Sequence, residues 1–457
     1  MTDPRFDGRI REGAALLPTL HPGDSHAVTL AETPAGDLLA AWFNGPGEGE
    51  PDTNIVLSRL PAGSDTWLPP QQLSSDPHRS EQNPLLFVTP PTAGQGGEAR
   101  AAAGDAHGDA GADAYAPGGG EADAYAPRGG EAGVDVPGGR AEVDAPGGTR
   151  MDASGGGARV DVPGGTRMDA SGGGAGAAAD AFARRALDGS GSAGGEVWLL
   201  HTSNEPHDQS TSRVVRRVSH DGGLTWGRSE VLFDQVGSFI RNPVVVLGNG
   251  DWLLPAYDCD KAAERTVVKL STDRGESWTQ VEVPEAVGQV QMSVVELSPG
   301  ELVGYFRSRA ADRIHRSVSK DNGRTWTAPE KTTLPNNNSA IQVLRLTDGR
   351  LVMVFNDSTA ERDQFRWVDD GRGGVRRKTL RTPLTLALSE DDGATWPYWR
   401  NLQVQDAEYR DNEFGYSYPT LLQTRDGRLH VAYSYLRKTI KHVILAPEWI
   451  QAGDRLP

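Results

Sequence analysis

The feature that most constrains this chain is an eight-residue pattern, Ser-x-Asp-x-Gly-x-Thr/Ser-Trp, found at residues 219–226, 271–278, 319–326 and 389–396. An eroded further copy runs over residues 58–67. The pattern predicts a tight turn in which Asp accepts local backbone N–H bonds, Gly supplies a positive φ and Trp packs the turn onto the next strand. It reads as a fold element, because such a hairpin tip needs each of these residues to hold its shape. A second repeat runs in step with the first. Gly36, Gly250, Gly300, Gly349 and Gly427 each mark a turn before a short apolar strand, and residues 194–200 make a sixth unit. Six such units predict an all-β fold, a six-bladed β-propeller of radially repeated four-stranded sheets.

The repeat is interrupted once. Over residues 93–192 the composition turns to Gly, Ala and Asp, with near-copies at 146–153 and 163–170. Such a tract buries too little apolar surface to offset its ordering entropy, which predicts a long disordered insertion. Excising it joins Asn83-Pro84-Leu85-Leu86 to Glu196-Val197-Trp198-Leu199-Leu200, a product similar to residues 242–254. The insertion is therefore expected in a hairpin loop of blade two, with residues 1–92 before it and 193–457 completing the propeller.

The formal charge of -16 argues against a nucleic acid as main partner, since neutralising phosphates needs an excess of Lys and Arg. It leaves room for a small anion held by a local arginine cluster. The single cysteine, Cys259, excludes an internal disulfide. Residues 1–17 lack the apolar core of a signal peptide, and no run approaches the ~18 apolar residues of a membrane span, so a cytoplasmic location and no membrane partner are expected. The histidines are scattered without ligand spacing, and no metal or other cofactor is expected.

In a propeller the start of each blade's first strand meets its counterparts at the axis. Stepping back eight to eleven residues from each turn glycine gives His26, Arg241 with Asn242, Gln291, Asn338, and Tyr416 with Tyr418; Asn83 joins them by its similarity to Asn242-Pro243. All are polar, which predicts a ring of polar groups around a small polar ligand. Arg307 and Arg381, at other strand ends, would add guanidinium groups able to grip a carboxylate by paired bonds. Glu48 and Glu50, in a Gly-Pro loop, are candidate general acids. His442 reads as a structural group.

With these residues the chain resembles the sialidases (neuraminidases), glycoside hydrolases with Asp-box turns, and most closely their bacterial BNR-repeat branch. Residues 415–419, Gly-Tyr-Ser-Tyr-Pro, resemble the segment of the sialidase tyrosine nucleophile and point to Tyr416. Residues 294–308 resemble the segment of the second triad arginine, pointing to Arg307, and residues 381–384 that of the third, pointing to Arg381. Three positions depart from the family pattern. His26 stands where the first arginine is expected, Gln291 where the glutamate that activates the tyrosine is expected, and Gly49, between Glu48 and Glu50, where the acid/base aspartate is expected. The resemblance implies an exo-sialidase-type hydrolase acting on a terminal acidic sugar of a glycan, with Tyr416 attacking the anomeric carbon, Glu48 or Glu50 protonating the leaving oxygen and the arginines binding the carboxylate. His26 with Tyr416 also suits a uronate lyase, and the missing glutamate suits a non-catalytic glycan-binding propeller.

Overall fold

The apolar runs after each Gly turn are too continuous for strands with one wet face, and the computed structural model shows why. It describes residues 11–91, 195–259, 263–369, 373–409 and 414–455; the expected insertion falls outside these. Six antiparallel sheets carry the fold. Blade one comprises Asp24–Glu32, Leu38–Gly45, Asn54–Leu60 and Gln71–Gln72, and blade two Ser80–Val88, Val197–Glu205, Asp208–Ser219 and Glu230–Phe233. Blade three comprises Ser238–Ile240 with Val245–Val246, then Trp252–Cys259, Glu264–Ser271 and Thr279–Val287. Gln289–Ser298, Glu301–Ser308, Arg313–Ser319 and Glu330–Pro335 form blade four. Blade five holds Gln342–Arg345, Leu351–Asn356, Leu384–Ser389 and Tyr398–Gln403, with Asp454–Arg455 at its edge. Tyr416–Gln423, Leu429–Tyr435 and Thr439–Leu445 belong to blade six, whose outer place is taken by Arg11–Leu16, so the N-terminal strand closes the ring. The strands flanking the insertion pair directly, Val88 opposite Val197 and Leu85 opposite Leu200. Among the described residues no helix is long and apolar enough to cross a membrane.

Each blade buries both faces against its neighbours. One apolar layer, for example, joins Leu39, Phe43 and Leu57 of blade one to Leu86, Val197 and Leu199 of blade two, and another joins Phe87, Trp198 and Leu200 of blade two to Trp252 and Leu254 of blade three. Similar layers follow around the ring to the seam between blades six and one. Second strands such as Leu38–Gly45, buried at every position, therefore read as unbroken hydrophobic runs.

The repeated turn joins third to fourth strands and does what its residues predict. In the copy at 319–326, the Ser319 hydroxyl donates to Asp321, and Asp321 accepts from the Thr325 backbone N–H at 2.9 Å and from its hydroxyl at 2.6 Å. The Trp326 indole then donates to the Gly323 carbonyl at 3.1 Å. The glycine also does a second task. Gly275 has φ +88, and a Cβ there would lie 2.6 Å from the Trp198 ring of the preceding blade. Gly275→Ala combines a left-handed alanine with an overpacked contact and is expected to cost roughly 2–5 kcal/mol, read as a lowered denaturant midpoint at unchanged m-value.

The seam between blades six and one holds a buried relay. The Trp67 indole, which can only donate, gives its proton to His442 Nδ1 at 3.3 Å; His442 Nε2 then carries hydrogen and donates to His430 Nδ1 at 2.9 Å. Burial, with Arg428 adding and Asp426 opposing, pulls His430 down to about 4, and burial followed by His430 pulls His442 down to about 3. Above pH ~6.5 neither the folded nor the unfolded chain protonates these rings. Below it the unfolded chain takes up protons the fold refuses, so stability falls as pH drops from ~6.5 toward ~4, by up to about 2.7 kcal/mol per pH unit for two groups. Urea titrations at pH 7 and pH 5 measure the loss, and His442→Gln should flatten it.

Candidate functional site

The inner strands share an irregularity where they reach the axis. In blades one, two, four and six the pairing of first and second strands slips around Ala27 (φ 60), Asn83 (φ 47), Gln291 (φ 54) and Tyr418 (φ 50). Asn338 (φ 59) has the same left-handed backbone just ahead of the inner strand of blade five. For residues with a Cβ such geometry costs of order 1–3 kcal/mol, so the packed ring must impose it. The bulges re-aim the side chains and break the alternation of the strand.

Tyr418 sits where the re-aimed groups meet. Its hydroxyl accepts from Arg307 Nη1 at 2.7 Å and from Gln291 Nε2 at 3.3 Å. Arg307 is buried, also donating through Nη1 to Gln291 Oε1 at 3.0 Å and through Nε to Asn338 Oδ1 at 2.8 Å. The guanidinium carbons of Arg241, Arg307 and Arg381 lie 5.4, 5.6 and 5.7 Å from the centre of the Tyr418 ring. Arg241 Nη2 donates to the carbonyls of Tyr418 at 2.9 Å and Pro419 at 3.0 Å, pinning the bulge. The His26 ring is 4.2 Å from that of Tyr418, its Nδ1 is 2.8 Å from Ser434 Oγ, and its Nε2 has no hydrogen-bond partner.

A second cluster borders the first. Arg437, in the turn between the second and third strands of blade six, is paired with Asp24 at 2.8 Å and with Glu48 of the blade-one loop. Leu436 (φ 56) and Arg437 (φ 57) are both left-handed, and the Arg437 carbonyl accepts from the Ser25 N–H at 2.6 Å, which fixes the arginine beside His26.

The charges set the protonation states. Burial opposes ionisation of Tyr418, yet Arg307, supported by Arg381 and Arg309, outweighs burial and the neighbouring Glu48, and the phenol lies below its ordinary value. Burial, helped by Arg437, Arg381, Arg241 and Arg307, holds His26 well below 6.5 and therefore neutral near pH 7. Burial pulls Arg241 and Arg381 each down to about 10, still cationic at neutral pH. For Glu48, burial would raise the carboxyl, but Arg437 prevails and lowers it. The cluster thus offers arginines for an anion, a phenol inclined to ionise and one half-buried carboxylate.

Among the residues expected at the site, His26, Arg241, Gln291, Arg307, Asn338, Arg381 and Tyr418 come together, with Glu48 alongside through Arg437. Asn242 lies next to them and donates to the carbonyls of Gln291 and Met292 at 2.8 and 3.1 Å. Tyr416 does not join them. Its side chain is fully buried in the core between blades five and six, among Tyr409, Tyr433 and Tyr435, where burial and then Asp406 push its phenol well above the ordinary value. Glu50 also turns away, its carboxylate 45% exposed and 3.5 Å from His207. Sequence reasoning missed Arg437, Asp24 and Tyr257, whose hydroxyl accepts from Gln291 Nε2 at 3.3 Å. The available signal was topological: loops between second and third strands, such as the one bearing Glu48, lie on the same face as the inner-strand starts.

Comparison with known proteins agrees with the propeller fold. The sequence matches the family described as a BNR repeat-like domain over residues 36–94 and 190–431. A sialidase from Micromonospora viridifaciens is 25% identical over 245 residues, which is 50% of this chain and 34% of that protein, so the match spans about a third of the relative's length. The Hadza microbial sialidase Hz136 superposes with a TM-score of 0.59 at 14% identity, covering 94% of this chain and 67% of the other. The NanB sialidase from Streptococcus pneumoniae gives 0.56 at 10% identity, covering 95% and 71%. At such identities the superpositions speak for the fold alone. The family match spans well over half of the chain, which belongs to the BNR repeat-like domain family.

Proposed function

We propose that the protein is a sialidase-like glycoside hydrolase that removes a terminal acidic sugar through a covalent intermediate on Tyr418. The observation that carries this reading is the Tyr418 hydroxyl, held by Arg307 and Gln291 within a ring of guanidinium groups. A tyrosine nucleophile needs its proton removed or its phenolate stabilised. Gln291 is neutral and accepts no proton, so here the work falls to stabilisation: two donors point at the oxygen and the arginines favour its charge. Arg307 and Arg381 are the groups for the sugar carboxylate. Tyr418, ionised to its phenolate, attacks the anomeric carbon through Oη as the bond from that carbon to the leaving oxygen breaks, and protonated Glu48 gives that oxygen its proton. Glu48 then takes a proton from the water that attacks the anomeric carbon and frees Tyr418. The sialidases among the relatives support the sugar class.

A second reading rests on His26. A neutral imidazole with an unpartnered Nε2 beside a tyrosine suits elimination: His26 takes the proton α to a uronate carboxylate, a C=C bond forms as the C–O bond breaks, and Tyr418 protonates the leaving oxygen. Product analysis on sialosides and on uronic-acid glycosides tests both. Free acidic sugar supports the hydrolase, an ultraviolet-absorbing unsaturated product replaces it with the lyase, and no product from either panel leaves a binding propeller.

A further inference from the structure

Away from the axis, the face that blade two turns toward blade one carries a groove of ≈ 550 Å³ of mixed lining, in which Asp76 and Glu230, the latter paired with Arg216, sit among arginines, serines and a few apolar side chains. Cross-strand register explains its lining. Glu81 stands opposite Ser203, Ser203 opposite Arg213, and Leu199 opposite Arg217, so Glu81, Ser203, Arg213 and Arg217 emerge on one face of the sheet. Arg79 and Arg217 serve as walls. Arg79 donates to the carbonyls of Ser203 at 2.7 Å and Thr211 at 3.1 Å, and Arg217 to those of Gly227 at 2.9 Å and Leu73. Arg213 and Arg228, which line the same groove, make no hydrogen bond or ion pair among the described residues. Glu81 is only 6% exposed, yet its Oε2 meets no donor.

An unpartnered buried carboxylate oxygen asks for a hydroxyl or amide donor, and two unpaired guanidinium groups ask for an anion. A simple anion such as sulfate satisfies the arginines and faces Glu81 with like charge. We propose that this groove is a second binding site for an acidic saccharide, its carboxylate on Arg213 and Arg228 and a hydroxyl donating to Glu81. The volume suits one or two sugar rings. The site shares the ligand class of the central pocket but none of its residues.

The test uses the full chain carrying Arg307→Ala, which disables the central pocket, titrated calorimetrically with N-acetylneuraminate, galacturonate and sulfate. About one equivalent of weak saccharide binding should remain, and adding Arg213→Ala with Arg228→Ala should weaken it about 10-fold or more. Glu81→Ala should weaken the saccharides and leave sulfate unchanged or tighter. Three results overturn the proposal: no saccharide binding in the Arg307→Ala chain, binding there that ignores Arg213 and Arg228, or sulfate binding as well as the saccharides. Binding by the unmutated chain that vanishes in Arg307→Ala would sink the groove and leave the central site standing. The converse, saccharide bound in both and lost only with Arg213 and Arg228, would count against the central pocket alone.

Discussion

Tyr418→Phe is expected to lower kcat on an acidic aryl glycoside by roughly 10³-fold or more, while Tyr416→Phe changes it by no more than a few-fold. The two residues stand two positions apart and differ in what their hydroxyls meet. Deleting the Tyr418 oxygen removes the atom that would bond to the anomeric carbon and leaves Arg307 and Gln291 with a donor each and no acceptor. Deleting the Tyr416 oxygen removes a hydroxyl and keeps the ring in an aromatic core shared with Tyr409 and Tyr435, a nearly isosteric change. Burst-phase kinetics with a good leaving group should show stoichiometric release in the unmutated protein and none in Tyr418→Phe. Equal losses in both variants would sink the assignment, as would full activity in Tyr418→Phe.

Arg437→Met should move the pH dependence of kcat/KM upward. Glu48 has burial pushing its carboxyl up and Arg437 holding it down, with Arg381 and Arg307 in support. Removing Arg437 takes away the strongest restraint and leaves Asp24 without its partner nearby. The sign follows directly. A general acid works in its protonated form, so the limb of the profile set by Glu48 declines as pH rises through the Glu48 value, which Arg437 holds low. In Arg437→Met that decline starts at higher pH. The maximum itself should fall, because the pocket loses a cation. An unshifted profile would remove Glu48 from the acid role.

Both predictions turn on residues whose place the sequence shows unevenly. The period of the Gly turns was legible, and so was the set of axial positions, because a repeating blade puts equivalent residues at equal distances from equivalent turns. Stepping back nine residues from Gly250, Gly300 and Gly427 lands on Arg241, Gln291 and Tyr418. The choice between Tyr416 and Tyr418 was not legible in the same way. On a regular strand the two share a face, and only the bulge between Ser417 and Thr420, with Tyr418 left-handed, sends one into the core and the other to the axis. Nothing in a Ser-Tyr-Pro run announces a positive φ, which is imposed by Arg241 gripping the carbonyls of Tyr418 and Pro419. Glu48 and Glu50 pose the same difficulty in a loop, where no period assigns direction. Arg437 was hidden for another reason: its partners lie at Asp24 and Glu48, at the far end of the chain, and local pattern carries no trace of such a contact.

The strand Arg11–Leu16 bears on how the molecule comes to exist at all. Ala14 lies opposite Val443, so the seam forms only when two segments separated by nearly the whole chain find one another. Closing so wide a loop is entropically costly and raises the contact order, which makes seam closure a natural slow event in folding. Asp24 and Arg437 stand at the same seam. The catalytic pocket proposed here is therefore assembled by the clasp of the ring: a chain folded in five blades but open at the sixth would carry Arg307, Gln291 and Glu48 and still lack Tyr418 and the arginine, Arg437, that holds Glu48.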